Sequence, residues 1–298
     1  MSVTTVAAEP STVRSKAAAY VALTKPRIIE LLLITTVPTM IVAEDGLPSL
    51  WLIVATVIGG TLAAGGANAV NMYVDRDIDS IMKRTEGRPL VTGEIEPRNA
   101  LAFSLSLLAL SGAWLAGFVN PLSAFFALAA AAFYIFVYTL WLKRTSRQNI
   151  VIGGAAGCMP VLVGWAAVTN SIAWEPVILF GVIFLWTPPH FWALAVKYKD
   201  DYAAADVPMM PSVTSLESTA RQIVAYIVAV WALSLAFVPI ASMGVVYTVA
   251  AAVLGAVFTA YGIALLRDPT PQKAMKTFTF SITYLTVLFV AMAVDTFV

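Results

Sequence analysis

"LWLIVATVIGGTLAAGGANAVNMYVDRDID", Leu50 to Asp79, holds the fold and the question of function together. From Leu50 to Val74 no residue is charged, and a helix needs about 20 apolar residues to cross a bilayer. Three aspartates then follow within five residues, Asp75, Asp77 and Asp79. Charge beside hydrocarbon is costly, so a membrane helix that ends in a burst of carboxylate needs a reason.

The rest of the chain has the same character. Of 298 residues, 60% are hydrophobic and 12% charged, with a mean hydropathy of +0.84. Soluble domains carry about 25% charged residues, so the composition is that of a membrane protein. A net charge of +1 without a basic patch argues against nucleic-acid binding. The single cysteine, Cys158, excludes an intrachain disulfide and a cysteine-built metal site. Nine spans are expected, near 24–43, 50–72, 99–118, 121–141, 149–169, 175–196, 220–240, 243–265 and 276–296. The expected fold class is therefore an all-α polytopic membrane protein. Residues 1–19 are polar and alanine-rich and lack the apolar core of a signal peptide. They read as a disordered cytoplasmic arm, leaving 20–298 as one transmembrane domain.

Charge sets the orientation. The connections near 44–49, 119–120, 170–174 and 241–242 contain no Lys or Arg, and all 18 basic residues fall on the other side. Positive residues stay cytoplasmic, which predicts an inside N-terminus and an outside C-terminus in the cell membrane. Two cytoplasmic connections, near 73–98 and 197–219, are long and acidic, and each runs from acids through Pro and small residues into a new helix ("EGRPLVTGE", 86–94; "DVPMMPSVTS", 206–215).

If the helix continues past its apolar part, Asn71, Asp75 and Asp79 lie at i, i+4 and i+8 on one face, with Asp77 opposite. Such a row of oxygen donors suits Mg²⁺, which keeps waters and substrate phosphates in its shell. Lys83, Arg84 and Arg88 follow, and guanidinium groups bind phosphate oxygens well. The plainer alternative is a solvated loop with local Arg pairs. A second acidic helix end on the same side, Asp200 and Asp201, weighs toward a pyrophosphate bridged by metal.

The pattern N-x-x-x-D-x-x-x-D, with a second acidic end four helices later, resembles the intramembrane aromatic prenyltransferases of the UbiA type. Four segments resemble their haem-farnesylating branch: "LTKPRIIELLLITT" (23–36), "NMYVDRDIDSIMKRTEGRPL" (71–90), "YTLWLKRTSRQNIVIGGAAGCMPVLVGW" (138–165) and "WTPPHFWALAVKYKDDYAAADVPMMP" (186–211). The resemblance implies nine helices around a central cavity, farnesyl diphosphate and haem B as substrates, and Mg²⁺ as cofactor. It implies Asn71, Asp75 and Asp79 as the first metal motif and Asp201, with Asp200, as the end of the second. Lys197 stands where many relatives carry an Asp, so it is expected on pyrophosphate, together with Arg84, Arg88, Lys143 and Arg144. A partner that delivers haem or takes up the product is expected from the chemistry.

His190 is the only histidine and lies within the sixth span, eleven residues or about 16 Å of helix before Asp201. Imidazole is a usual haem ligand, and an intramembrane ionisable group is functional by default. Axial ligation ranks first, another polar role in the cavity second, and packing third. Two rivals remain from the sequence: a prenyltransferase acting on a hydroxybenzoate, naphthoate or chlorin, and a cation transporter. Against the transporter, both acid clusters lie at one face, whereas transport sites lie near the midplane.

Overall fold

The computed structural model describes residues 15–298, save the side chains of residues 27–29, 31 and 32. The described residues form helices joined by turns, with no strand among them. The long helices are α1 (Pro26–Glu44), α2 (Leu50–Val74), α3 (Pro97–Phe118), α4 (Pro121–Thr145), α5 (Asn149–Thr169), α6 (Trp174–Lys197), α7 (Leu216–Ile240), α8 (Val245–Arg267) and α9 (Pro271–Asp295). Among the described residues, eight of these, α2 to α9, are long and apolar enough to cross a membrane. In α1 the apolar run among the described residues is Leu33–Glu44. The first expected span is thus present as the helix Pro26–Glu44.

Local chemistry places the helix starts. Ser49, Asn120, Ser215 and Thr270 each accept a hydrogen bond from a backbone N–H in the first turn of α2, α4, α7 and α9. Pro26, Pro97, Pro121 and Pro271 occupy first-turn positions, where no N–H is needed. Between neighbouring helices, Asp295 accepts from the backbone N–H groups of Gly244 and Tyr247, which ties the end of α9 to the start of α8.

Each helix packs on the next in sequence, and α9 closes back on α1, so the long helices form a ring. Contacts of α1 with α5, and of α6 with α9, cross it. Membrane helices approach closely through small residues, and α2 shows this against α3. A Cβ on Gly66 would stand 3.0 Å from the Ser104 carbonyl oxygen and 2.9 Å from Leu108. The larger core cluster fills the α5–α9 half, around Trp192, Phe237, Tyr247, Phe258, Tyr284 and Phe289.

Two expectations need correction. Residues 16–19 do not belong to a disordered arm: Ser15 caps a helix, Lys16–Leu23, in which Ala19 and Leu23 are buried with Ala69, Met72, Leu90, Ile95 and Ala100. The alanine run of this segment is a strong helix former with one apolar face. Residues 1–14, the rest of that expected arm, lie outside the described residues. The fourth span is not α-helical throughout, because Phe133–Leu142 winds as a π-helix. Helical windings of that kind gather at functional sites.

Candidate active site at one end of the helix ring

Helix α2 ends at Val74, and Arg76–Asp79 forms one further helical turn. The i→i−4 bonds run through the junction, Asp75 N–H to Asn71 O at 2.9 Å and Asp79 N–H to Asp75 O at 2.8 Å. The spacing therefore keeps its face. Asn71, Asp75 and Asp79 are buried at 3%, 0% and 2% exposure, while the Asp77 side chain is 60% exposed.

Cations from three parts of the chain converge on this face. Lys143, at the end of α4, donates to Asp75 Oδ2. Arg88, in the loop after α2, pairs with Asp79. Lys25, immediately before α1, donates to Asn71 Oδ1 at 2.8 Å. The Asn71 amide nitrogen donates to Asp75 Oδ2 at 2.7 Å and to Thr139 Oγ1 at 3.1 Å. Thr139 belongs to the π-helical stretch, which thus supplies both a hydroxyl at Asn71 and, beyond its end, the Lys143 ammonium at Asp75. Arg144 makes a two-pronged pair with Asp77 at 2.7 Å, and this arginine holds the Asp77 carboxyl down at about 2. Burial pushes the Lys25 ammonium down to about 7, helped by Arg88 and Lys143 and opposed by Asp75 and Asp79.

The second acidic loop docks beside the first. The Arg84 guanidinium carbon and the Lys197 ammonium each lie 5.4 Å from the Tyr198 ring centroid. Ile78 and Met82 share a buried cluster with Tyr202, Ala205, Val207 and Met209. Asp200 and Asp201 sit on a short helix, Lys199–Ala204, where Asp200 is exposed and Asp201 half-buried. Among the described residues no three of His, Cys, Asp and Glu come close enough to cage a metal. The first motif is instead closed on its own cations, whereas the sequence reading expected a face open to metal.

One oxygen is left over. Asp75 Oδ1 is buried without a hydrogen-bond partner, and the Arg144 guanidinium stands 3.7 Å from it. A buried carboxylate oxygen with no donor is costly, and it is a suitable seat for a hard cation. The donors Asn71, Asp75 and Asp79 therefore fit Mg²⁺ held jointly with phosphate and water oxygens. Four cations, Lys25, Arg88, Lys143 and Arg144, surround two buried carboxylates and the exposed Asp77. In this well the basic groups outnumber the carboxylates.

Lys25 escaped the sequence reading as a site residue. It has φ 52° and ψ 64°, the left-handed region, although it carries a side chain and precedes a proline. Such backbone costs about 1–3 kcal/mol and collects at ligand clamps. The visible signal was the "TKP" triplet ahead of an apolar run, too short to read alone.

His190 lies inside α6, just after Pro188 and Pro189. Its ring stacks on Trp186 at 4.2 Å and leans on Phe278 of α9 at 4.7 Å, with Phe191 edge-on at 5.3 Å. Nδ1 is 2.7 Å from Ser281 Oγ. The residue is 8% exposed.

The model of the UbiA prenyltransferase family matches residues 32–290. The chain is 54% identical over 288 residues to the protoheme IX farnesyltransferase of Clavibacter michiganensis subsp. michiganensis, covering 95% of this chain and 94% of that one. It is 55% identical over 286 residues to the protoheme IX farnesyltransferase of Frankia alni, covering 94% and 98%. A solved digeranylgeranylglyceryl phosphate synthase is similar in fold, with TM-score 0.77 and 20% identity over 94% of this chain and 98% of that one. So is a UbiA homologue from Archaeoglobus fulgidus bound to GPP and Mg²⁺, with TM-score 0.63 and 18% identity over 92% and 99%. With its ring of helices, its N-x-x-x-D-x-x-x-D face and these relatives, this chain belongs to the UbiA prenyltransferase family.

Proposed function

We propose that this protein transfers the farnesyl group of farnesyl diphosphate to a vinyl group of haem B, with addition of water. The product is haem O, which carries a hydroxyethylfarnesyl side chain. The observation that carries the proposal is the well itself: cations outnumber buried carboxylates around Asp75 and Asp79, and one carboxylate oxygen lacks a donor. A diphosphate with a divalent cation completes that charge pattern. The choice of haem as acceptor rests on relatives of 54–55% identity that bear the farnesyltransferase name.

Asn71, Asp75 and Asp79 would hold Mg²⁺, and Asp201 with Asp200 would supply further oxygen donors. When bound, that ion neutralises charge on the departing diphosphate. Lys25, Arg88, Lys143 and Arg144 bind diphosphate oxygens, with Arg84 and Lys197 at the rim. They act as a preorganised field. As the C1–O bond of the farnesyl group breaks, its electron pair goes to the diphosphate, where these cations stabilise it. The terminal vinyl carbon bonds to C1, and the carbon beside the porphyrin becomes cationic. Water adds there and releases a proton. The surrounding helices keep other water away from the allylic cation. His190 ligates the haem iron and so fixes which edge of the porphyrin faces C1. The protein sits in the cell membrane with the well and N-terminus cytoplasmic and the C-terminus outside. A second protein that hands over or receives the hydrophobic haem is expected.

The test is acceptor choice. Purified protein in lipid discs, given Mg²⁺ and farnesyl diphosphate, should release diphosphate when haem B is added and not when a hydroxybenzoate or naphthoate is added. Turnover with the aromatic acid and none with haem would overturn the assignment while leaving the prenyl-diphosphate site intact.

A further inference from the structure

His190 and Trp186 stand one turn apart on α6, and both grip the same residue of α9. The Trp186 indole N–H donates to the Ser281 carbonyl oxygen at 2.8 Å, and His190 Nδ1 meets the Ser281 hydroxyl oxygen at 2.7 Å. The Ser281 hydroxyl has one proton, and that proton is committed: it is donated to the Phe278 carbonyl oxygen, one turn back in α9, at 2.6 Å. At the imidazole, Ser281 can therefore only accept. It follows that Nδ1 carries the hydrogen, and that in the neutral ring Nε2 is a bare lone pair.

We infer that Ser281 is a positioning residue that holds His190 in the Nδ1–H tautomer, so that Nε2 is presented as a ligand for a metalloporphyrin iron. The tautomer is defined by the hydrogen-bond chain Phe278 O, Ser281 Oγ, His190 Nδ1, and the ring plane is fixed by Trp186 and Phe278 on its faces. Ligand histidines elsewhere are prepared in this way, with one nitrogen donating to a fixed acceptor and the other left for the metal. The anchor is placed on a different helix from the histidine. Ring orientation thus depends on the α6–α9 packing and not on α6 alone. The iron-binding part rests on the haem reading above; the tautomer part does not.

Because His190 is the only histidine, protein labelled with ¹⁵N-histidine contains one imidazole, and its two ring nitrogens need no assignment against others. Without haem, the nitrogen spectrum of the full-length protein in detergent at neutral pH should show Nδ1 protonated and Nε2 bare. An Nε2–H tautomer or a doubly protonated ring would overturn the proposal. Ser281→Ala should release the ring toward the Nε2–H form, and Ser281→Thr, which keeps a hydroxyl, should retain the Nδ1–H form. If both variants keep the wild-type pattern, Ser281 does not set the tautomer and the inference is wrong.

The haem arm separates the two claims. Losing the hydrogen-bond acceptor behind a metal-ligating histidine costs about 10–100-fold in metal affinity, so Ser281→Ala should weaken haem B binding by roughly tenfold or more and shift the iron–histidine stretch in the ferrous resonance Raman spectrum. Ser281→Thr should restore both. A loss caused by poor packing alone would lower affinity without moving that band, which would count against positioning. If His190→Ala leaves the Soret band unchanged, the ligation reading fails, whatever the nitrogen spectrum shows.

Discussion

Asp75 and Asp77 are two positions apart and chemically identical, yet one is fully buried against Lys143 and the other is exposed on Arg144. Asp75→Ala would leave the Lys143 ammonium without its partner, and breaking a buried pair costs about 3–5 kcal/mol. Asp75→Asn keeps the shape and removes the charge, so it is the cleaner variant. It should lower turnover by about 10²–10³, the scale of losing one preorganised electrostatic contact. Asp77→Asn removes a surface pair worth about 1 kcal/mol or less and should stay within roughly fivefold of wild type. Equal losses at both positions, with both variants folded by circular dichroism, would contradict the facial arrangement. Lys25→Met should raise KM for farnesyl diphosphate by roughly tenfold, the loss of one charge-assisted bond, and leave KM for haem B nearly unchanged. At this scale the sequence was half legible. The i, i+4, i+8 spacing of Asn71, Asp75 and Asp79 identified the buried face and set Asp77 apart. Nothing local disclosed that Lys25, 46 residues earlier, meets Asn71, because that contact is made only when α1 packs on α2.

The π-helical stretch Phe133–Leu142 is the element on which the site turns. An apolar run of this length reads as an ordinary span, since hydropathy does not distinguish 3.6 residues per turn from a wider winding. Its effect is visible only in three dimensions: Thr139 reaches Asn71, Lys143 reaches Asp75, and the Tyr134 and Tyr138 rings stack at 5.3 Å. Gly153 in α5 makes room for it, because a Cβ there would stand 2.3 Å from the Tyr138 ring. Removing one residue at an exposed point, Phe136, would turn everything beyond it by about 100° of helix and take Thr139 and Lys143 out of register with Asn71 and Asp75. The deletion variant should insert and purify normally yet lose about 100-fold in turnover, read as diphosphate release. Undiminished turnover would show that the wide winding is incidental. The N-terminal helix Lys16–Leu23 teaches the converse. Its alanine-rich composition looked unstructured, and it is ordered by tertiary packing on α2 and α3, which propensity alone does not report.

For the whole molecule, the distribution of Lys and Arg and the recurrence of apolar runs were sufficient to anticipate a helical membrane bundle, because both follow from the bilayer itself. The ring closure of α9 on α1 and the docking of the loop after α2 on the loop after α6 were not legible, since both depend on side-chain packing between distant segments. Orientation gives a direct prediction. In a Cys158→Ser background, Cys placed at Asp45, Ile172 or Val245 should react with an impermeant maleimide added outside intact cells. Cys at Glu86, Arg147 or Gln272 should react only after the membrane is opened, and any reproducible exchange between the two groups would break the proposed topology. The central claim is the reaction, and the mass of its product tests it most directly. Membranes holding the protein, supplied with haem B, farnesyl diphosphate and Mg²⁺ in ¹⁸O-water, should yield a haem heavier by one farnesyl group and one hydroxyl, with the ¹⁸O in that hydroxyl. Membranes holding Asp75→Asn should yield little of it. Unaltered haem B from the wild-type membranes, or a farnesylated haem without the added water, would contradict the account.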